Sequence, residues 1–132
     1  DGEADEVVFN NASESTLSNL DSVIGSSIDD DTDQLTFNGA GGAGVADKTS
    51  ALSSPGDLNT ALDQVAADGA AADGWQAFDF DGDTFLFNET TNDDTYQSGE
   101  FVVELTGLGG GAAGQLANNS FSSDTLALDI AA

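Results

Sequence analysis

The sequence predicts a mainly β protein, an antiparallel β sandwich or meander carrying one or two short α-helices. Three observations predict it. Residues 75–106 alternate apolar and polar side chains and break at turn-forming dipeptides. Sixteen glycines against one proline favour turns between strands over long helices. Apolar residues make up 39 % of the chain and include eight Phe, enough for a modest core and unlike a disordered acidic tail. A length of 132 residues suits one domain.

The chain divides into residues 1–38 and 39–132, which are expected to form one compact unit. In the first block Val7-Val8-Phe9 and Gln34-Leu35-Thr36-Phe37 read as short strands. Between them, Leu17, Leu20, Val23 and Ile24 follow a helical spacing over 15–24, although the Ser and Asn content there lowers helix propensity. An acidic run, Asp29-Asp30-Asp31-Thr32-Asp33, leads into the second strand.

The second block opens with a Gly/Ala/Ser-rich loop over 39–53. Ser54 is placed as a helix N-cap, with Pro55 at the first helical position and Asp57 completing a capping-box-like pattern. Leu58, Ala61, Leu62, Val65 and Ala66 then recur on one helical face, and Gly69 provides a stop. Trp75-Gln76-Ala77-Phe78-Asp79-Phe80 and Asp83-Thr84-Phe85-Leu86-Phe87 flank Asp81-Gly82, a two-residue hairpin turn. A polar loop over 88–99 joins them to Phe101-Val102-Val103-Glu104-Leu105, completing a three-stranded meander. Phe78, Phe80, Phe85, Phe87 and Phe101 read as one aromatic core face. After a Gly-rich loop over 107–114, a last strand over 124–130 puts Leu126, Leu128 and Ile130 on one buried face.

Charge constrains function more than shape does. Twenty-five Asp and Glu face a single base, Lys48, for a net charge of −24. Such a chain repels itself unless cations from outside neutralise it. Nucleic acid and anionic membrane surfaces are excluded as electrostatic partners, because both are bound through Lys and Arg. No stretch approaches the ~20 apolar residues of a membrane-spanning helix. With no His, Cys or Arg, most nucleophile–base pairs, thiolate zinc sites and phosphate clamps are out of reach. Paired carboxylates remain, as glycosidases use, but no pair stands out, and no catalytic activity is expected.

Oxygen is nearly the only ligand type on offer, and oxygen suits hard cations, so Ca2+ is the expected cofactor. Three clusters carry the expectation. Asp79, Asp81 and Asp83 surround the hairpin turn. Asn88, Asn92, Asp94 and Glu100 line the polar loop, at a spacing that departs from the EF-hand loop. Asp29, Asp31 and Asp33 alternate, so an extended chain would put them on one face. Each cluster equally fits a solvated acidic loop, or Asp serving as a turn former.

Two stretches carry a family resemblance. Asp1-Gly2-Glu3-Ala4-Asp5-Glu6-Val7-Val8-Phe9 resembles the end of an RTX calcium-binding array, with Glu3 where the repeat has glycine. The phrase Gln34-Leu35-Thr36-Phe37 after its acidic run resembles one that closes such arrays. Residues 71–108, with Phe78-Asp79-Phe80-Asp81-Gly82-Asp83-Thr84-Phe85 and Tyr96-Gln97-Ser98-Gly99-Glu100-Phe101-Val102-Val103-Glu104-Leu105-Thr106-Gly107, resemble the C-terminal region of bacterial RTX proteins exported by type I secretion. The resemblance implies Asp5 as a calcium-ligand position, Val7 as a buried strand position of a β-roll end, and calcium-dependent folding outside the cell. It also implies transient contact with the type I secretion machinery through an uncleaved C-terminal signal, and a larger secreted or cell-surface parent.

The competing expectation is a self-assembling surface-layer, matrix or filament subunit. Strand exchange would then run through Val7, Val8, Phe9 or Leu126, Leu128, Ile130. A halophilic protein with an acidic hydrated surface is a further reading, and it differs in requiring molar salt in place of millimolar calcium.

Overall fold

The structure, a computed structural model, describes residues 5–24, 33–39, 44–69, 74–91, 93–108, 111–119 and 121–128. In chain order the strands are β1 (Glu6–Phe9), β2 (Asp21–Ile24), β3 (Asp33–Phe37), β4 (Ala46–Asp47), β5 (Trp75–Phe80), β6 (Asp83–Asn88), β7 (Phe101–Thr106), β8 (Phe121–Ser122) and β9 (Thr125–Leu128). Two helices interrupt them, α1 (Leu58–Ala67) and α2 (Ala112–Leu116). The strands form a smaller sheet ordered β1-β3-β9-β8 and a larger one ordered β2-β7-β6-β5-β4. The mainly β expectation therefore holds.

The meander is as expected. β5 and β6 pair antiparallel across Asp81 and Gly82, with Phe78 opposite Phe85 and Trp75 opposite Asn88. Asp81 and Gly82 have φ of 53° and 92°, the two left-handed residues that a type I′ hairpin requires. β7 adds antiparallel to β6. At their margins both sheets are mixed: β1 runs parallel to β3, β2 parallel to β7, and β4 parallel to β5.

The larger sheet is buried on both faces, which is why its strands are so rich in apolar residues. Trp75, Ala77, Leu86, Phe101, Val103 and Leu105 meet Phe9, Leu35, Phe37 and Leu126 of the smaller sheet, with Ala112, Ala113 and Leu116 of α2 closing one side. Phe37 anchors this layer, 4.4 Å from the Trp75 ring and 5.2 Å from Phe101. On the other face Phe78, Phe85, Phe87 and Val102 pack against Ala61, Leu62, Val65 and Ala66 of α1. Phe101 thus leaves the aromatic face expected for it. Odd positions of β7 point between the sheets and Val102 points at the helix, because neighbouring residues in a strand face opposite ways.

Two local expectations are corrected. Residues 15–24 do not form a helix. Ser15 exchanges hydrogen bonds with Val102, accepting from its N–H at 3.1 Å and donating its hydroxyl to its carbonyl. Thr16 and Asn19 close a tight turn, and Asp21–Ile24 extends as β2. The apolar residues that mimicked a helical stripe serve two cores: Leu17 and Leu20 pack on the α1 side and Val23 between the sheets. The second correction is the start of α1. Asp57, not Ser54, is the N-cap, its carboxylate accepting the Thr60 N–H at 2.7 Å. Ser54 sits at φ 46°, outside any helix. The far end is as expected: Asp68 is the C-cap and Gly69 follows at φ 88°.

Candidate functional site

With one base in the chain, the carboxylates find other partners. Lys48 is engaged with Asp68 at 2.9 Å. Elsewhere main-chain N–H groups take the role that Lys and Arg usually play, giving charge-assisted hydrogen bonds without a counter-charge.

The hairpin cluster illustrates this. Asp79 receives the Thr84 hydroxyl at 2.6 Å and the Ala113 N–H at 3.2 Å on Oδ1, and the Gly111 N–H at 2.9 Å on Oδ2. It ties the start of α2 to β5. Asp81 is exposed in the turn and Asp83 is half-buried beside it.

The polar loop is built around Glu100, which is only 3 % exposed. Its Oε1 accepts N–H groups from Thr90 at 2.8 Å and Thr91 at 3.3 Å, with both threonine hydroxyls alongside at 3.4 and 3.2 Å. Its Oε2 accepts the Gln97 N–H at 2.8 Å. Donors therefore point inward where a cation-binding loop would point carbonyl oxygens. Asn88 ends β6 on the face of Trp75, away from this carboxylate, and Asp94 is exposed at φ 62°.

Beside Glu100 lies a group the sequence reading passed over. Glu89 is 4 % exposed and accepts the Gln76 amide N–H at 3.3 Å on Oε2. Among the described residues its Oε1 and the Gln76 Oε1 are buried without a hydrogen-bond partner. Burial holds the Glu89 carboxyl above its ordinary value of 4.5. The Glu100 charge adds to this, while the Asp94 and Asp93 N–H groups and the Gln76 amide pull it down.

Asp5 and Asp33 are brought together: Asp33 Oδ1 accepts the Asp5 N–H at 2.8 Å. Asp29, Asp31, Asn92 and Ile130 lie outside the described residues. Among the described residues no three carboxylates gather where they could hold a metal ion.

Of the proposed exchange strands, β9 lies inside its sheet between β3 and β8, and Leu126 is buried in the core. β1 is the edge. Phe9 is buried, Val7 packs against the core, and Val8, on the outer face, is 42 % exposed. β1 and β3 also share a phrase that the sequence reading did not connect, Asp-x-Val/Leu-x-Phe-Asn at 5–10 and again at 33–38. The register superposes the two copies: Val7 on Leu35 and Phe9 on Phe37. The two Phe rings stack at 5.5 Å and 7°, and Asn38 donates its amide to Asn10 Oδ1 at 3.0 Å. Scanning for a strand phrase recurring at a fixed offset would have found it. Between its two copies the chain crosses to the larger sheet as β2, so β1, β2 and β3 make one turn of a coil around the inter-sheet core.

No protein-family model matches the chain, and comparison with curated proteins yields no match.

Proposed function

We propose that this chain is a calcium-dependent, non-catalytic structural module of a secreted or cell-surface protein resembling the C-terminal regions of RTX proteins. The observation that carries the reading is ionic balance. The chain holds a net charge of −24, and its one base is already paired with Asp68. Main-chain N–H groups satisfy individual carboxylates but add no positive charge, so long-range repulsion persists and external cations must supply the remainder. Calcium is the expected ion because the available ligands are oxygens. Low cytosolic calcium would keep the chain loose and competent for type I export, and extracellular calcium would then favour the folded state by binding it selectively. The coil of β1, β2 and β3 on an antiparallel meander supports a place at the end of a longer stacked array.

The test is far-UV circular dichroism of the metal-free chain at low ionic strength, titrated with calcium chloride and, in parallel, with sodium chloride. Folding at millimolar calcium or below, with sodium effective only at far higher concentration, is the expected result. A chain fully folded in chelator at low salt would overturn the reading, and folding that needs molar salt of any kind would return it to halophilic adaptation.

A further inference from the structure

We propose that the outer edge of β1 docks an extended strand that runs parallel to it and carries the phrase Asp-x-apolar-x-Phe-Asn. The inference rests on the structural-module reading and names the partner that reading lacks.

The ladder between β1 and β3 sets the rule. Gln34 and Asn38 donate their N–H groups to the carbonyls of Asp5 and Phe9, at 2.8 and 2.9 Å. Residues 5, 7 and 9 of the first strand therefore face β3. By the alternation of a parallel ladder, Glu6, Val8 and Asn10 turn their main-chain groups outward. They hold the positions in β1 that Gln34, Thr36 and Asn38 hold in β3. A strand added in the same register meets the same donors and acceptors that β1 met.

The side chains specify the occupant. A third Phe in the same register would extend the Phe9–Phe37 stack by one more ring. A third Asn would accept from Asn10 as Asn10 accepts from Asn38. Asp5 would receive the newcomer's N–H on its carboxylate, as Asp33 receives that of Asp5. Each position of the phrase is read by a contact that the fold already makes once.

Glu14 marks the place. Its Oε2 accepts the outward Asn10 N–H at 2.7 Å, whereas one layer inward the equivalent Asn38 N–H goes to the Phe9 carbonyl. Glu14 thus occupies the position of the incoming strand's Phe carbonyl. It blunts the edge while nothing is docked and must swing aside for docking.

The experiment uses the full chain in calcium, with folding verified by circular dichroism. A fluorescent peptide containing Asp-Gln-Leu-Thr-Phe-Asn is followed by anisotropy, beside a control peptide with Ser in place of Phe. Saturable binding is expected, at least about tenfold weaker for the control. Glu14→Ala should tighten it several-fold. Val8→Pro, which removes an outward N–H and leaves the bonds to β3 in place, should abolish it. Absence of saturable binding to both the wild type and Glu14→Ala would overturn the proposal. So would equal binding of the two peptides, or sedimentation showing a self-association that the peptide does not compete. A chain that responds to calcium and ignores the peptide refutes this inference alone, whereas one that needs no calcium and binds the peptide refutes only the calcium reading.

Discussion

Replacing Glu100 with Ala removes the acceptor around which residues 90–97 are folded. Its two shortest main-chain bonds, from Thr90 and Gln97 at 2.8 Å, dominate the cost. Hydrogen bonds to a charged group are worth about 1.5–3 kcal/mol each. Thr90 and Gln97 are exposed, so water can recover part of the loss and the lower figure applies. Two bonds then give about 3 kcal/mol. Relief of the repulsion with Glu89 offsets some of this, and the cavity left at a buried position restores it. Glu100→Gln should cost roughly half as much, because its amide oxygen still accepts on one side while its NH₂ meets a donor on the other. Urea unfolding followed by Trp75 fluorescence measures both variants, and a melting shift of roughly 10 °C is expected for Glu100→Ala at this chain length. The measurement is made in saturating calcium and again in molar sodium chloride with chelator. An equal loss in both media is expected of a carboxylate spent on N–H groups. A loss under about 1 kcal/mol, or one seen in calcium alone, would refute the reasoning and make Glu100 a ligand.

Three further outcomes follow from named contacts. Glu89 binds its proton more tightly folded than unfolded, so its penalty is absent below 4.5 and grows as pH rises through the raised folded value. Glu89→Gln should accordingly stabilise the protein at pH 8 and have little effect at pH 4, and equal effects at both would contradict the assignment. Asp57 shows the opposite sign. Its bonds to Thr60 hold the carboxyl below 3.8, so its contribution is present above that value and vanishes as pH falls through the lower folded one. Asp57→Ala should lose helix stability at pH 7 and match the wild type at pH 2 in a salt-stabilised sample. Gly74→Ala would bring a Cβ within 2.8 Å of Asn88 Oδ1 and 2.9 Å of the Glu89 carbonyl at φ 78°, whereas Gly82→Ala at φ 92° meets nothing within 4 Å. Gly82→Ala should cost about 1 kcal/mol of left-handed strain and Gly74→Ala at least about 2 kcal/mol more. Comparable unfolding midpoints for the two would show that the residues around Gly74 yield.

What could be read in advance was local. The Asp81-Gly82 hairpin depends on two adjacent residues that tolerate positive φ, and the buried face of α1 on a spacing of three and four. Both signals lie within a few residues of chain. The strand at Asp21–Ile24 was not legible, because its apolar residues serve different cores and only their sum resembles a helical stripe. The N-cap was displaced by three residues because Ser54 and Asp57 are both competent caps, and the carboxylate that reaches the Thr60 N–H decides between them.

The acidic residues divide along the same line. Composition alone established a chain of −24 with almost no internal cation. It could not establish what any single carboxylate does. Asp79 and Glu100, adjacent in type and context to Asp81 and Asp94, became acceptors for N–H groups of α2 and the polar loop, while the other two stayed in solvent. Charge is a sum over residues and survives any fold. A hydrogen bond needs two atoms within about 3 Å, and the main-chain N–H partners of Asp79, at Gly111 and Ala113, are more than thirty positions away along the chain. The pairing of 5–10 with 33–38 has the same character: the sequence contains the phrase twice, and only packing on the shared core lays one copy on the other.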